Sequence, residues 1–188
     1  MQIATDKIIV ALDVSTLEEA ERFVGVLYPT IKMFKIGSQL FTACGPEAVK
    51  IIGTKGAKVF LDLKFHDIPH TVYLATSTAS SICLDTQLSA GINTADSVRE
   101  MAIAPVFMMT VHTKGGINML RDAVKGATDK AKELNIKKPF VVGVTRLTSD
   151  EETEDTEDIV LGAARLAKDA GLDGVVCGVP EAEAVRKE

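Results

Sequence analysis

Six short stretches of this chain are close to uninterrupted apolar, β-branched sequence. They fall at 8–12, 33–37, 58–63, 106–111, 140–144 and 174–179. Near-continuous apolar runs of this length suit parallel strands covered on both faces. A helical signal follows each of the first five. Thr16-Leu17-Glu18-Glu19 reads as a capping box that opens a helix to about Leu27. Pro46 stands at a tolerated first-turn position before a helix over 47–52. Further helices are expected over 68–84, 117–134 and 153–170, the last stopped by Gly171 as a left-handed cap. Strand alternating with helix predicts an α/β fold with right-handed crossovers.

The spacing adds detail. The runs begin near residues 8, 33, 58, 106, 139 and 174, and the third step, of 48 residues, is the long one. A βα unit takes roughly 30 residues. The excess lies at 85–105, read as an insertion with one extra capped helix around 93–103. Residues 1–188 are otherwise read as a single domain.

Composition narrows the function. Twenty-one Lys and Arg against 26 Asp and Glu leave a net charge of −5, which argues against a nucleic-acid partner. No apolar run reaches the roughly 18 residues that a membrane span needs. The first residues carry no signal-peptide pattern, so a cytoplasmic protein is expected. Cys44, Cys83 and Cys177 lack metal-ligand spacing and are read as reduced interior thiols. The acidic run 150–158 lacks the alternating ligands and central Gly of a calcium loop, and is read as a solvated entry to a helix N-terminus.

The chemistry concentrates where strands end. Asp62 and Lys64 are two apart in one run and should share a face, with Asp67 just past it. Asp13, Lys35 and His112 interrupt or end three other runs in the same way. In an α/β barrel that rim is where active sites are built. Several charges there are costly without a role. Carboxylates on both sides of Lys64 favour its charged form. A protonated lysine suits proton donation to a basic carbon, not imine formation.

At this point the chain resembles the orotidine 5′-phosphate decarboxylase family. The resemblance rests on Lys7-Ile8-Ile9-Val10-Ala11-Leu12-Asp13, Phe34-Lys35-Ile36-Gly37, Phe60 through Pro69 with its Asp-x-Lys-x-x-Asp-Ile-Pro element, Val111-His112 before Gly115-Gly116, Leu147-Thr148-Ser149 and Gly171 through Cys177. It implies a TIM (β/α)8 barrel that converts orotidine 5′-monophosphate to UMP and CO₂ in pyrimidine biosynthesis, with no metal and no organic cofactor. Lys64 would protonate C6, Asp62 would face the departing carboxylate, and Lys35, Asp62, Lys64 and Asp67 would alternate in charge. Asp13 and Lys35 would hold ribose hydroxyls, Thr148 and Ser149 would line the base, and His112 would join the substrate-binding set. Asp67 and Thr71 would reach into a neighbouring subunit's site, so a homodimer is implied.

The chain departs from that pattern in places. His70 stands where the family usually has Asn or another polar residue, and Arg146 where an apolar residue is commoner. A complete barrel of this kind runs to about 250 residues. The 188 here accommodate about six βα units, so the barrel is expected to be incomplete at its C-terminal side, without the late strands that carry the phosphate grip. Two alternatives follow. One is a magnesium-dependent sister decarboxylase of the 3-keto-gulonate-phosphate type or a hexulose-phosphate synthase, which carry an acid where Lys35 stands. The other is a truncated, non-catalytic homologue.

Overall fold

The computed structural model describes residues 4–82, 106–147, 149, 153 and 155–188. A single 3₁₀ turn (Ala4–Lys7) leads into β1 (Val10–Ala11), α1 (Leu17–Leu27), β2 (Met33–Gly37), α2 (Ser38–Cys44), α3 (Glu47–Thr54), β3 (Lys58–Phe65) and α4 (Pro69–Ser81). The second half runs β4 (Val106–His112), a 3₁₀ turn (Thr113–Gly115), α5 (Gly116–Leu134), β5 (Phe140–Val144), α6 (Thr156–Ala170), β6 (Gly174–Val176) and α7 (Ala182–Lys187). All neighbouring strands pair in parallel, in the order β1-β2-β3-β4-β5-β6. The sheet curls into a half-barrel with helices on its flank.

The apolar runs form strands because their side chains fill one core. Phe34, Ile36, Val59, Leu61, Met109, Val111 and Val141 are buried there with Val24, Leu40, Ile52, Val72 and Leu120 from the helices. The two outer strands are shorter than the apolar pattern predicts. The run at 8–12 yields only Val10–Ala11, with Ile8 and Ile9 exposed, and the run at 174–179 yields only Gly174–Val176. Among the described residues each of these strands has a ladder on one side alone, so fewer of its residues are held in register.

Two helix ends carry the caps expected of them. Thr16 Oγ1 accepts from Glu19 N at 3.2 Å, while Glu19 Oε2 reaches back to Ser15 N at 3.4 Å, one residue before the usual partner. Gly171 ends α6 in the left-handed conformation at φ 82°. Two helices were not expected from the pattern, α2 and α7. The first follows β2 with no connecting loop, so the strand and helix signals merge in sequence. The expected helix at 68–84 is observed as Pro69–Ser81. The insertion at 85–105 and Cys83 lie outside the described residues, whereas Cys44 and Cys177 are free, half-buried thiols.

The strands being parallel, all their C-terminal ends emerge on one rim. Helix α4, which leaves that rim after β3, is fixed by a close crossing with α5. A Cβ at Gly126 would stand 2.2 Å from the Tyr73 carbonyl oxygen, so only glycine permits that approach.

Candidate active site

Four charged groups from three adjacent strands meet on that rim. Asp13 follows β1, Lys35 is central in β2, and Asp62 and Lys64 occupy the last half of β3. Lys35 Nζ lies 3.5 Å from Asp13 Oδ1 and 3.5 Å from Asp62 Oδ2, and Lys64 Nζ donates to that same Asp62 oxygen at 2.8 Å. The result is an alternating row, Asp13–Lys35–Asp62–Lys64. Side-chain exposure separates its members, at 68% for Asp13 but 12% for Asp62. Solvent screens the outer pair strongly, while the two contacts to Asp62 act in a drier setting.

Burial pushes the Asp62 carboxyl up, but its neighbours more than offset that. The hydrogen bond and charge of Lys64, the hydroxyl of Thr110 and the charge of Lys35 together hold it below the usual aspartate range. Asp62 is therefore an anion bound by two cations, a fixed charge pattern in place before any substrate arrives.

Lys64 reaches Asp62 by a route that strand alternation does not describe. Its φ is 52°, in the left-handed region that non-glycine residues seldom adopt. The β3–β4 register runs Leu61↔Met109 and then Phe65↔Val111, so three residues of β3 face one of β4. This bulge re-aims the lysine. The backbone N–H of Lys64 leaves the ladder and donates to Thr110 Oγ1 at 2.8 Å, and the Thr110 hydroxyl donates to Asp62 Oδ1 at 3.0 Å. Thr110 is fully buried. The expectation of a shared face for Asp62 and Lys64 thus holds in outcome, but through a bulge instead of a regular pleat.

His112 ends β4 with its Nδ1 3.3 Å from Nδ1 of His66, so one ring donates and the other accepts. Its Nε2 is buried without a hydrogen-bond partner among the described residues. Burial, and then the charges of His66, Lys64 and Lys114, hold His112 below the ordinary histidine range, with Asp62 opposing them. His112 therefore favours the neutral ring on this rim.

Among the described residues, the other expected ones make no bond to the row. Asp67 is exposed between β3 and α4, accepts from Ile68 N at 2.6 Å, and makes no ion pair among the described residues. It does not join the Lys35–Asp62–Lys64 network within this chain. Thr71 is exposed on the first turn of α4, and Ser149 is exposed beyond β5. Thr148 lies outside the described residues. Thr110 and His66 carry no role in the sequence reading, although both sit inside the strand-end motifs. A threonine in the otherwise apolar run 106–111 is the signal that marks the first of them.

Parallel strands delivering an ionic row to one rim define a barrel-type α/β protein with a strand-end site. The comparisons with known proteins then specify which. Residues 6–188 match the Orotidine 5'-phosphate decarboxylase / HUMPS family, and the chain belongs to that family. A relative named orotidine 5'-phosphate decarboxylase from Moorella thermoacetica is 39% identical over 98% of this chain and 68% of its own length. The crystal structure of orotidine 5'-phosphate decarboxylase from Lactobacillus acidophilus is similar with a TM-score of 0.72 at 27% identity, covering 96% of this chain and 75% of that one. That of an uncharacterized conserved protein from Geobacillus kaustophilus gives a TM-score of 0.78 at 31% identity, covering 95% and 77%.

Proposed function

We propose that this rim decarboxylates orotidine 5′-monophosphate to UMP, as a cofactor-free carboxy-lyase acting in the cytoplasm. The observation that carries the reading is the Lys35–Asp62–Lys64 row, in which one buried carboxylate is shared by two ammonium groups. In the reaction the bond from C6 to the carboxylate carbon breaks and CO₂ departs. The electron pair left on C6 takes a proton from Lys64 Nζ, and the resulting neutral amine is reprotonated from solvent. Asp62 faces the substrate carboxylate and favours its loss, and the two lysines stabilise the charge that develops on C6. Lys35 and Asp13 bind ribose hydroxyls, His112 lines the substrate cleft, and Thr148 and Ser149 lie along the base.

The same reading pairs two copies, with Asp67 and Thr71 of each entering the other's site. Its support is that both residues are exposed beside large exposed apolar side chains, Ile68 and Leu74, on the β3–α4 corner. The whole chain is read as one barrel domain with 85–105 as an insertion. Against the magnesium-dependent sister stands Lys35, whose ammonium occupies the middle of the row and repels a second cation.

The decisive test is UMP formation from orotidine 5′-monophosphate by the wild-type chain, with Lys64→Ala as control. Turnover that survives EDTA and is lost with Lys64 supports the reading. No UMP from the wild-type chain overturns it in favour of a non-catalytic homologue, and loss of turnover in EDTA favours the metal-dependent sister. Subunit sharing is tested by mixing inactive Lys64→Ala and Asp67→Ala chains. Hybrid dimers restore one intact site, so about a quarter of wild-type activity should return.

A further inference from the structure

We propose that Thr110 is a positioning residue for this site, its single hydroxyl pinning both the bulge that carries Lys64 and the carboxylate that Lys64 meets. The inference rests on the reading of Lys64 and Asp62 as the reacting pair. Thr110 itself sits within β4 and acts only through those two residues.

A buried hydroxyl carries a desolvation cost. Met109 and Val111, on either side of Thr110, are fully buried apolar residues, and a valine would fill the same volume there. A hydroxyl in that setting is unfavourable unless it is hydrogen-bonded. Both of its functions are used on the site. It accepts the Lys64 N–H, which the three-against-one bulge has removed from the ladder, and its own hydrogen goes to Asp62 Oδ1. Without that acceptor the Lys64 amide would be a stranded donor on a left-handed residue.

The second bond sorts the two oxygens of Asp62. Oδ1 is taken by Thr110, and Oδ2 is left to Lys64 at 2.8 Å and Lys35 at 3.5 Å. The groups bearing on Asp62 are thus Lys64 on its own strand, Lys35 on β2, and Thr110 and His112 on β4. Because one oxygen atom serves both bonds, rotating or removing it disturbs the lysine backbone and the carboxylate together. A lysine tip displaced by a fraction of an ångström from its acceptor carbon loses much of its rate advantage.

The test compares Thr110→Val, which keeps the shape, with Thr110→Ser, which keeps the hydroxyl. For Thr110→Val, kcat for UMP formation should fall by about 10- to 100-fold with KM changed little. Thr110→Ser should recover most of that loss. A ¹³C NMR titration of the Asp62 carboxyl supplies a readout that needs no turnover. Its midpoint should rise in Thr110→Val, which removes a hydrogen bond to the anion, and stay near wild type in Thr110→Ser. Should the valine chain fail to fold, Thr110→Ala carries the same two measurements. An unchanged midpoint with unchanged kcat in the hydroxyl-free variant overturns the proposal, as does an equal loss in serine and valine. If the wild-type chain makes no UMP, the decarboxylase reading falls, and the titration alone decides whether Thr110 positions Asp62.

Discussion

Lys35 and Lys64 bring their ammonium groups to the same oxygen of Asp62, yet the backbone beneath them differs in kind. Lys35 stands on an unbroken ladder, paired with Ala11 on one side and Phe60 on the other. Lys64 stands on a bulge at φ 52°, with its N–H surrendered to a side chain. A left-handed conformation costs a non-glycine residue roughly 1–2 kcal/mol. Such strain persists only where the surroundings over-determine it, and it gathers at functional sites. The contrast separates two ways of placing a charge. Ordinary strand register suffices for a lysine that binds and balances charge, whereas the proposed proton donor is aimed by a local irregularity that the fold must hold in place.

Removing each ammonium in turn breaks this comparison if the two are equivalent. Lys64→Ala deletes the proton donor and should lower kcat by about 10²- to 10⁴-fold, the range for a positioned general acid. Lys35→Ala removes a charge 3.5 Å from its partners, so it should lower kcat by only about tenfold, the worth of one charge-assisted contact, and raise KM through the lost ribose contact. Steady-state UMP formation distinguishes them. Equal losses in kcat at the two positions would mean that the bulge gives Lys64 no special office.

Backbone conformation predicts a reversal of sign in stability. At position 64, glycine relieves the left-handed strain that alanine retains, so Lys64→Gly should be more stable than Lys64→Ala by about 1 kcal/mol. At position 35, in regular strand, Lys35→Gly should be less stable than Lys35→Ala by roughly 0.5–1 kcal/mol. Urea unfolding of the four variants gives both differences. The same order at both positions would show that the bulge at Lys64 is not strained.

The two lysines also mark how far the sequence could be read. The parallel sheet was legible in six apolar runs, and Lys35 was legible because a single charge interrupts one of them where regular geometry carries it to the rim. Asp62 and Lys64 were legible as a pair, but not the means of their meeting. Nothing in Asp-Leu-Lys announces a register shift, since a bulge depends on what the neighbouring strand offers. That offer is Thr110, 46 residues away from Lys64, and hydrogen bonds across such a separation leave no local pattern. Helix α2 was hidden for a different reason, because it starts on the residue after β2 and no turn residues separate the two. The outer strands were over-read because an apolar run signals only a tendency to be covered, whereas strand extent at a sheet edge depends on partners, and Ile8 and Ile9 are exposed there.

The smallest expected effect is the most selective probe of the difference between the lysines. His112 is held below the ordinary histidine value of 6.5 by burial and by the charges of His66, Lys64 and Lys114, and Lys35 is not among them. Between 6.5 and that lower folded value, the unfolded chain binds a proton that the folded chain refuses. Stability should therefore fall as pH is lowered through this window, the sign required when the unfolded state holds more protons. Lys64→Met keeps the length of the side chain and removes one repelling charge, so the His112 midpoint should rise toward 6.5 and the window should narrow. Lys35→Met should leave it in place. Proton NMR titration of the His112 ring reads the midpoint directly, and unfolding measured across the same pH range reads its consequence. A midpoint that moves with Lys35 and not with Lys64 would reverse the assignment of which lysine faces β4, and with it the geometric basis for distinguishing donor from balancing charge.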